Sequence, residues 1–141
     1  MWTALAFDSH PNHRKAVEAS TPFSADRPAV FCRATQQSFL RIATTPAVLR
    51  MYGAEPFTNR DALLMLDQFM ALPSVTFRDE PQGVVAIWRQ LAGLPTTAPK
   101  VWMDAYLAAF AIASDLELMT LDRDFRSFAT QGLKLNLLTS A

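Results

Sequence analysis

The stretch WMDAYLAAFAIASDLELMTLDRDF, residues 102–125, joins an apolar helix to a short apolar strand and ends in a charged turn. About a dozen apolar or small residues from Val101 onward predict the helix, and ELMTL at 117–121 predicts the strand. Asp104 is the only charged residue in that helix, and Asp122 directly follows the strand. Both acids stand next to apolar surface and need a physical explanation.

Strand candidates alternate with helix-length segments on the N-terminal side of this stretch and beyond it. The other strand candidates are AVFC, SVTF and KLNLL, at residues 29–32, 74–77 and 134–138. Helices are predicted over residues 11–20, 33–45, 58–72, 81–93 and 100–115. This alternation predicts an α/β fold with a parallel sheet covered by helices. Because such sheets bind ligands outside the carboxyl ends of their strands, Asp122 stands where a site is expected.

Composition limits the classes of protein that this chain can represent. Its 141 residues, 50% hydrophobic and 18% charged, predict a single domain, residues 1–141, with a substantial core. The 13 basic and 13 acidic residues cancel, so any binding of nucleic acid must be local. A single cysteine, Cys32, forms no internal disulfide and fits a reducing cytoplasm. The uncharged segment 105–114 is too short to cross a bilayer, so no membrane partner is expected.

Each acid has a simple structural explanation by itself. Asp104 in a first helical turn interacts favourably with the helix dipole, and Asp122 after a strand can cap the following helix. Taken together, the helix start and the strand end bring two carboxylates toward one cleft. Two such acids repel each other unless a cation lies between them, and hard oxygen ligands suit Mg²⁺ or Mn²⁺. Divalent ions of this kind activate water for attack on a phosphodiester.

The segments WMDAYLAAFA, 102–111, and LMTLDRDF, 118–125, resemble the C-terminal acidic motif of PIN-domain ribonucleases, in particular VapC-like toxins of toxin–antitoxin pairs. Residues 8–16 and 31–48 resemble further family segments in the same order. The resemblance implies a three-layer α/β/α fold with a central parallel sheet. It also implies RNA hydrolysis with Mg²⁺ or Mn²⁺, a cognate antitoxin and a cytoplasmic location. By position, Asp104 and Asp122 correspond to the catalytic, metal-binding acids, and Thr120 and Asp124 are supporting candidates.

The chain departs from the family pattern at two places. The family's first strand and its aspartate precede a segment that matches WTALAF here, so both are expected to be absent. Gln36, or by another alignment Gln37, stands where many members carry a glutamate, and an amide brings no negative charge to a cation. Gln36 is therefore a supporting candidate, with an exposed helical position as its alternative. These departures keep a second hypothesis open: a catalytically impaired, truncated PIN-like protein that only binds an antitoxin or another partner.

Other candidates carry less weight. His10 and His13 have the spacing of two zinc ligands, but no third ligand is nearby in the sequence, and a solvated helix cap explains them. A receiver-like acidic pocket would need paired acids after a first strand, which the sequence lacks. Trp102, Tyr106 and Phe110 recur every four residues, a pattern that favours packing in the helical core or in a homodimer. Four arginines are candidates for phosphate contact but are interpreted as ordinary surface residues, namely Arg33, Arg41, Arg123 and Arg126.

Overall fold

The computed structural model describes residues 1–55 and 57–138, and contacts divide the chain into two compact units, residues 1–79 and 80–141. Each unit contains helices and one pair of parallel strands. The α/β class with parallel strands is therefore confirmed, with the strands distributed over two sheets of two strands each. None of the helices within the described residues combines the length and apolar character needed to cross a membrane.

The first unit is built around a parallel pair of strands, β1 (Ala29–Phe31) and β2 (Val75–Phe77). Phe31 pairs with Phe77 at the carboxyl end. Parallel strands require a long crossover, and helices supply it here. The helices of this unit are α1 (Trp2–Ala6), α2 (His13–Ser20), α3 (Arg33–Ala43), α4 (Pro46–Met51) and α5 (Asn59–Met70).

Aromatic side chains form the centre of the first unit's core. Phe31 is fully buried, and the Trp2 ring stacks on it with centroids 3.7 Å apart and an interplanar angle of 13°. Phe69 of α5 meets the rings of Trp2 and Phe39 edge-on. Burying large rings against one another contributes both apolar area and favourable ring geometry. The aromatic cluster thus joins α1, α3 and α5 to β1.

The second unit places a long helix before its parallel strands. Its elements are α6 (Val84–Ala92), α7 (Val101–Ala113), β3 (Glu117–Thr120), a 3-10 turn (Arg123–Phe125), α8 (Arg126–Ala129) and β4 (Lys134–Leu137). Asp115 ends α7 in the left-handed region with φ of 53°, and the Leu116 N–H donates to the Ala111 carbonyl at 2.8 Å. Because the left-handed residue ends the helix abruptly, β3 begins only two residues later, at Glu117. Lys134 then pairs with Asp115 at 2.6 Å, so the start of β4 is joined to the end of α7.

Most predicted elements are present within a few residues of their expected bounds. A capping box precedes α5, because Thr58 Oγ1 accepts from the Asp61 N–H at 3.2 Å and the Asp61 carboxylate accepts from the Thr58 N–H at 3.0 Å. Gly93 is the C-cap of α6. Two helices were not predicted from the sequence, α1 and α4, which have 5 and 6 residues. Helices this short carry too little periodicity, although Thr45 and Pro46 were a usable start signal for α4.

Two leucines on α5 provide a matched test of this core. Leu66 is 7% exposed and belongs to the core, whereas Leu64 on the same helix is 55% exposed. We expect Leu66→Ala to lower the free energy of unfolding by about 2–5 kcal/mol, since it leaves a cavity. Leu64→Ala should change it by no more than about 0.5 kcal/mol. Urea unfolding followed by circular dichroism measures both values, and equal losses would contradict the packing described here.

Candidate acidic site

The turn after β3 holds two of the candidate acids in a defined backbone conformation. Thr120 ends the strand, and its Oγ1 accepts a hydrogen bond from the Asp122 N–H at 3.1 Å. Asp122 is the N-cap of the 3-10 turn, and its Oδ1 accepts from the Asp124 N–H at 2.9 Å. Phe125 is buried directly behind this turn. The capping role predicted for Asp122 is therefore present, and it uses one of the two carboxylate oxygens.

Asp104 lies in the first turn of α7, on a helix whose other side is the core of the second unit. Ala105, Ala108 and Ala109 are fully buried, while Asp104 itself is half-buried. Within the part of the chain that the structure describes, no hydrogen bond or ion pair engages its carboxylate. Unlike Asp122, this acid has no local structural task beyond its place near the positive end of the helix dipole.

The electrostatics of the second unit connect these acids. Partial burial raises the pKa of Asp104, and the negative charges of Asp122 and then Asp124 raise it further. Burial disfavours the ionised form because the carboxylate loses hydration, and nearby like charges add repulsion. The ionised form of Asp104 is therefore destabilised, and Asp122 and Asp124 are close enough to raise its pKa.

A cleft of about 340 Å³ opens beside Asp104 in this unit. Asp124 lines it together with Asp104, and so does Lys100, the residue immediately before α7. The remaining lining residues are small or apolar for the most part, namely Ala98, Pro99, Val101, Ser127 and Phe128. From the sequence, Asp124 was only a supporting candidate, and Lys100 was not a candidate. The sequence shows only that Lys100 precedes the helix, and its place in the cleft depends on how α7 packs near α8.

The donor set suits a hard divalent cation chemically. Asp104 offers both carboxylate oxygens, and Asp122 keeps the oxygen that its capping bond does not use. Carboxylate oxygens are the preferred protein ligands of Mg²⁺ and Mn²⁺. In the described part of the chain, no group of three or more His, Cys, Asp or Glu side chains is arranged to hold a metal ion.

The remaining sequence candidates lie in the first unit. Gln36 is buried on α3, where its Oε1 accepts from Arg33 at 2.7 Å and its Nε2 donates to the Met70 sulfur at 3.8 Å. It is therefore not the exposed helical residue of the alternative interpretation, whereas Gln37 is exposed. His10 Nδ1 accepts from the Asn12 N–H at 3.0 Å, so this ring does cap the turn before α2. His13 Nδ1 lies 2.8 Å from the Ala4 carbonyl, to which it can donate.

Comparison with known proteins places these elements in a family. The PIN domain model matches residues 1–131, which include every candidate acid. "Ribonuclease VapC41" of Mycobacterium tuberculosis is 42% identical over 139 residues, covering 98% of this chain and 94% of that protein. "Ribonuclease VapC33" of the same organism is 31% identical over 126 residues, covering 84% of this chain and 81% of that protein. With its parallel strands and its acids after β3 and at the start of α7, this chain belongs to the PIN-domain family.

Proposed function

We propose that this protein is a divalent-metal-dependent endoribonuclease, a hydrolase of RNA phosphodiester bonds that acts in the cytoplasm as the toxin of a toxin–antitoxin pair. The names of its two relatives support the nuclease activity. The observation that carries the proposal is the half-buried Asp104 beside a cleft, which has no hydrogen bond or ion pair among the described residues and is affected by the charges of Asp122 and Asp124. A carboxylate in such surroundings is costly unless a cation compensates it.

In this proposal Asp104 and Asp122 are the catalytic and metal-binding residues, and Asp124 supports them. A bound Mg²⁺ or Mn²⁺ would neutralise charge on the phosphate and lower the pKa of an attacking water. Thr120 fixes the turn through its bond to the Asp122 N–H, so the Asp122 carboxylate has a defined direction. The Asp124 N–H then restrains one oxygen of that carboxylate. Lys100 supplies a positive charge at the cleft, which attracts the phosphodiester toward the acids.

A second function is favoured by one specific observation. Gln36 is neutral at the position where the family resemblance expects a glutamate, and its amide is engaged by Arg33 and Met70. A weakened acidic set would leave a catalytically impaired protein that only binds an antitoxin or another partner. The two functions differ in one measurement, because only the nuclease cleaves RNA when Mg²⁺ or Mn²⁺ is added.

The proposed partners are a cognate antitoxin protein and a second copy of this chain. Apolar side chains on α6 and α7 stay exposed and could form such an interface, namely Val85, Trp102 and Met103. Trp102 is held in place by Trp88, whose Nε1 donates to the Trp102 carbonyl at 3.0 Å. We expect a dimer in sedimentation velocity and a shift toward monomer in Trp102→Glu, since the charge opposes burial of this surface. A monomeric wild type at all concentrations tested would exclude the homodimer.

Cleavage should require both metal and the acids. We expect RNA cutting with Mg²⁺ or Mn²⁺ and none in EDTA. Asp104→Asn should lower the rate at least about 100-fold, because even groups that only orient a metal ligand contribute about 10–100-fold. Asp122→Asn should have the same effect although Asn caps a helix nearly as well as Asp. Gel-resolved cleavage of a labelled RNA measures these rates.

Asp67→Asn, an exposed acid on α5, is the matched control and should retain the wild-type rate. Undiminished cutting by Asp122→Asn would show that this residue is only a cap. Cutting in EDTA would contradict the metal-dependent mechanism as a whole.

Without metal, Asp104 should destabilise the fold in a pH-dependent way. Its pKa is raised in the folded protein, so the folded state binds the proton more tightly than the unfolded chain. The cost is therefore absent at pH values well below the unfolded pKa of about 3.9 and fully present above the raised pKa. We expect Asp104→Asn to be more stable than wild type at pH 7 by less than about 1 kcal/mol, since solvent screens a half-buried group. The difference should vanish in acid.

Thermal unfolding at several pH values measures this difference. Added Mg²⁺ should raise the melting temperature of wild type more than that of Asp104→Asn, because ligand binding to the folded state stabilises it. A variant that is less stable than wild type at pH 7 in EDTA would show that Asp104 has a structural role instead.

A further inference from the structure

Arg33 differs from the other exposed arginines in how its side chain is held. It is the first residue of α3 and follows the carboxyl end of β1 by two positions. Its guanidinium carbon lies over the Phe77 ring, 4.9 Å from the centroid, and its Nη1 donates to Gln36 Oε1 at 2.7 Å. Phe77 ends β2 and pairs with Phe31 in the sheet, so the surface under the guanidinium is rigid. Two independent contacts therefore fix the plane of an exposed cation.

Neither of these contacts compensates the charge of Arg33. Its partners are a neutral amide and an aromatic ring, and the ion pairs found among residues 1–55 and 57–138 are Arg14 with Glu18 and Lys134 with Asp115. A guanidinium has five N–H donors, and the bond to Gln36 uses one. Arg33 thus presents a full positive charge and unused donors in a planar group that suits a phosphate.

Gln36 is the residue that makes this arrangement possible. It is 7% exposed, its oxygen faces Arg33, and its nitrogen is directed to the Met70 sulfur. A glutamate here would form a salt bridge with Arg33 and remove the uncompensated charge. The amide orients the guanidinium without neutralising it.

We infer that Arg33 binds a backbone phosphate of the RNA and that Gln36 is a positioning residue for Arg33, not a ligand of the catalytic cation. The inference rests on the proposed ribonuclease function. A chain with zero net charge has no general attraction for RNA, so its phosphate contacts must come from locally fixed cations. An arginine that is already stacked and hydrogen-bonded loses less side-chain freedom on binding than a mobile one. This favours Arg33 over arginines on open helix surface.

The test is binding of a fluorescein-labelled single-stranded RNA to the full chain in EDTA, where no cutting occurs, at several salt concentrations. Arg33→Ala should weaken binding about tenfold, as expected for a charged hydrogen bond. The slope of log Kd against log salt should fall by about 0.7, the contribution of one phosphate on a single strand. Arg41→Ala, which removes the same charge from the last turn of α3, is the matched control and should change binding less than twofold.

Gln36→Glu separates the two roles of Gln36 by the sign of its effect. If Gln36 positions Arg33, the new carboxylate pairs with it and weakens RNA binding about as much as Arg33→Ala, with unchanged affinity for Mn²⁺ in calorimetry. If Gln36 is a cation ligand, the added charge tightens Mn²⁺ binding. Tighter Mn²⁺ binding with unchanged RNA binding overturns the inference. Arg33→Lys keeps the charge but not the planar group, and an intermediate Kd is expected.

Circular dichroism of each variant checks that it is folded. Because Arg33 is exposed, Arg33→Ala tests the inference even if a substitution at the buried Gln36 disturbs folding. Equal losses in Arg33→Ala and Arg41→Ala would indicate unspecific charge attraction and would also overturn it. If wild type cleaves RNA and Arg33→Ala binds it as tightly as wild type, this inference fails and the proposed function stands. If wild type neither binds nor cleaves RNA, both fail.

Discussion

Parallel pairing of strands is the constraint on which the arrangement of this protein depends. Two parallel strands cannot be joined by a tight turn, so the chain must leave the carboxyl end of the first strand through helical structure. In the first unit this places Arg33 and Gln36 directly after β1. In the second unit it places Asp122 and Asp124 directly after β3. These four charged and polar residues therefore lie in the connections that parallel strands require.

The two strand ends carry opposite chemistry. After β3, the carboxylates act on Asp104 and raise its pKa, a cost that a divalent cation can offset. After β1, a stacked guanidinium that hydrogen-bonds to a buried neutral amide presents a positive charge. An RNA phosphodiester needs both kinds of group, a cation site for the reacting phosphate and fixed donors for the backbone. Under the proposed ribonuclease function, this division supplies local charges of both signs in a chain whose net charge is zero.

Several features could be predicted because they depend on local chemistry. The Thr58 and Asp61 capping box needs only two residues three apart, and the Asp122 cap needs only a turn after a strand. The apolar run of α7 and the single charge within it were likewise evident. The short helices α1 and α4 were not, since their residues are helical mainly because Trp2 and Leu49 pack into the aromatic core. The sequence singled out Gln36 as a supporting site residue, but it did not predict the hydrogen bonds of Gln36 with Arg33 and Met70.

The sequence by itself determined the α/β class, the order of its strands and longer helices, and the family, because periodicity, caps and the acidic motif are written in residues close together in the chain. Only the tertiary structure decided what surrounds each side chain. It placed Lys100 and Asp124 in the cleft with Asp104, and it set Arg33 on the ring of Phe77. Asp124 is 20 residues from Asp104 and Phe77 is 44 residues from Arg33, and the electrostatic and stacking energies that govern these pairs depend on distance in space. Distance in space follows from packing, which no local pattern encodes.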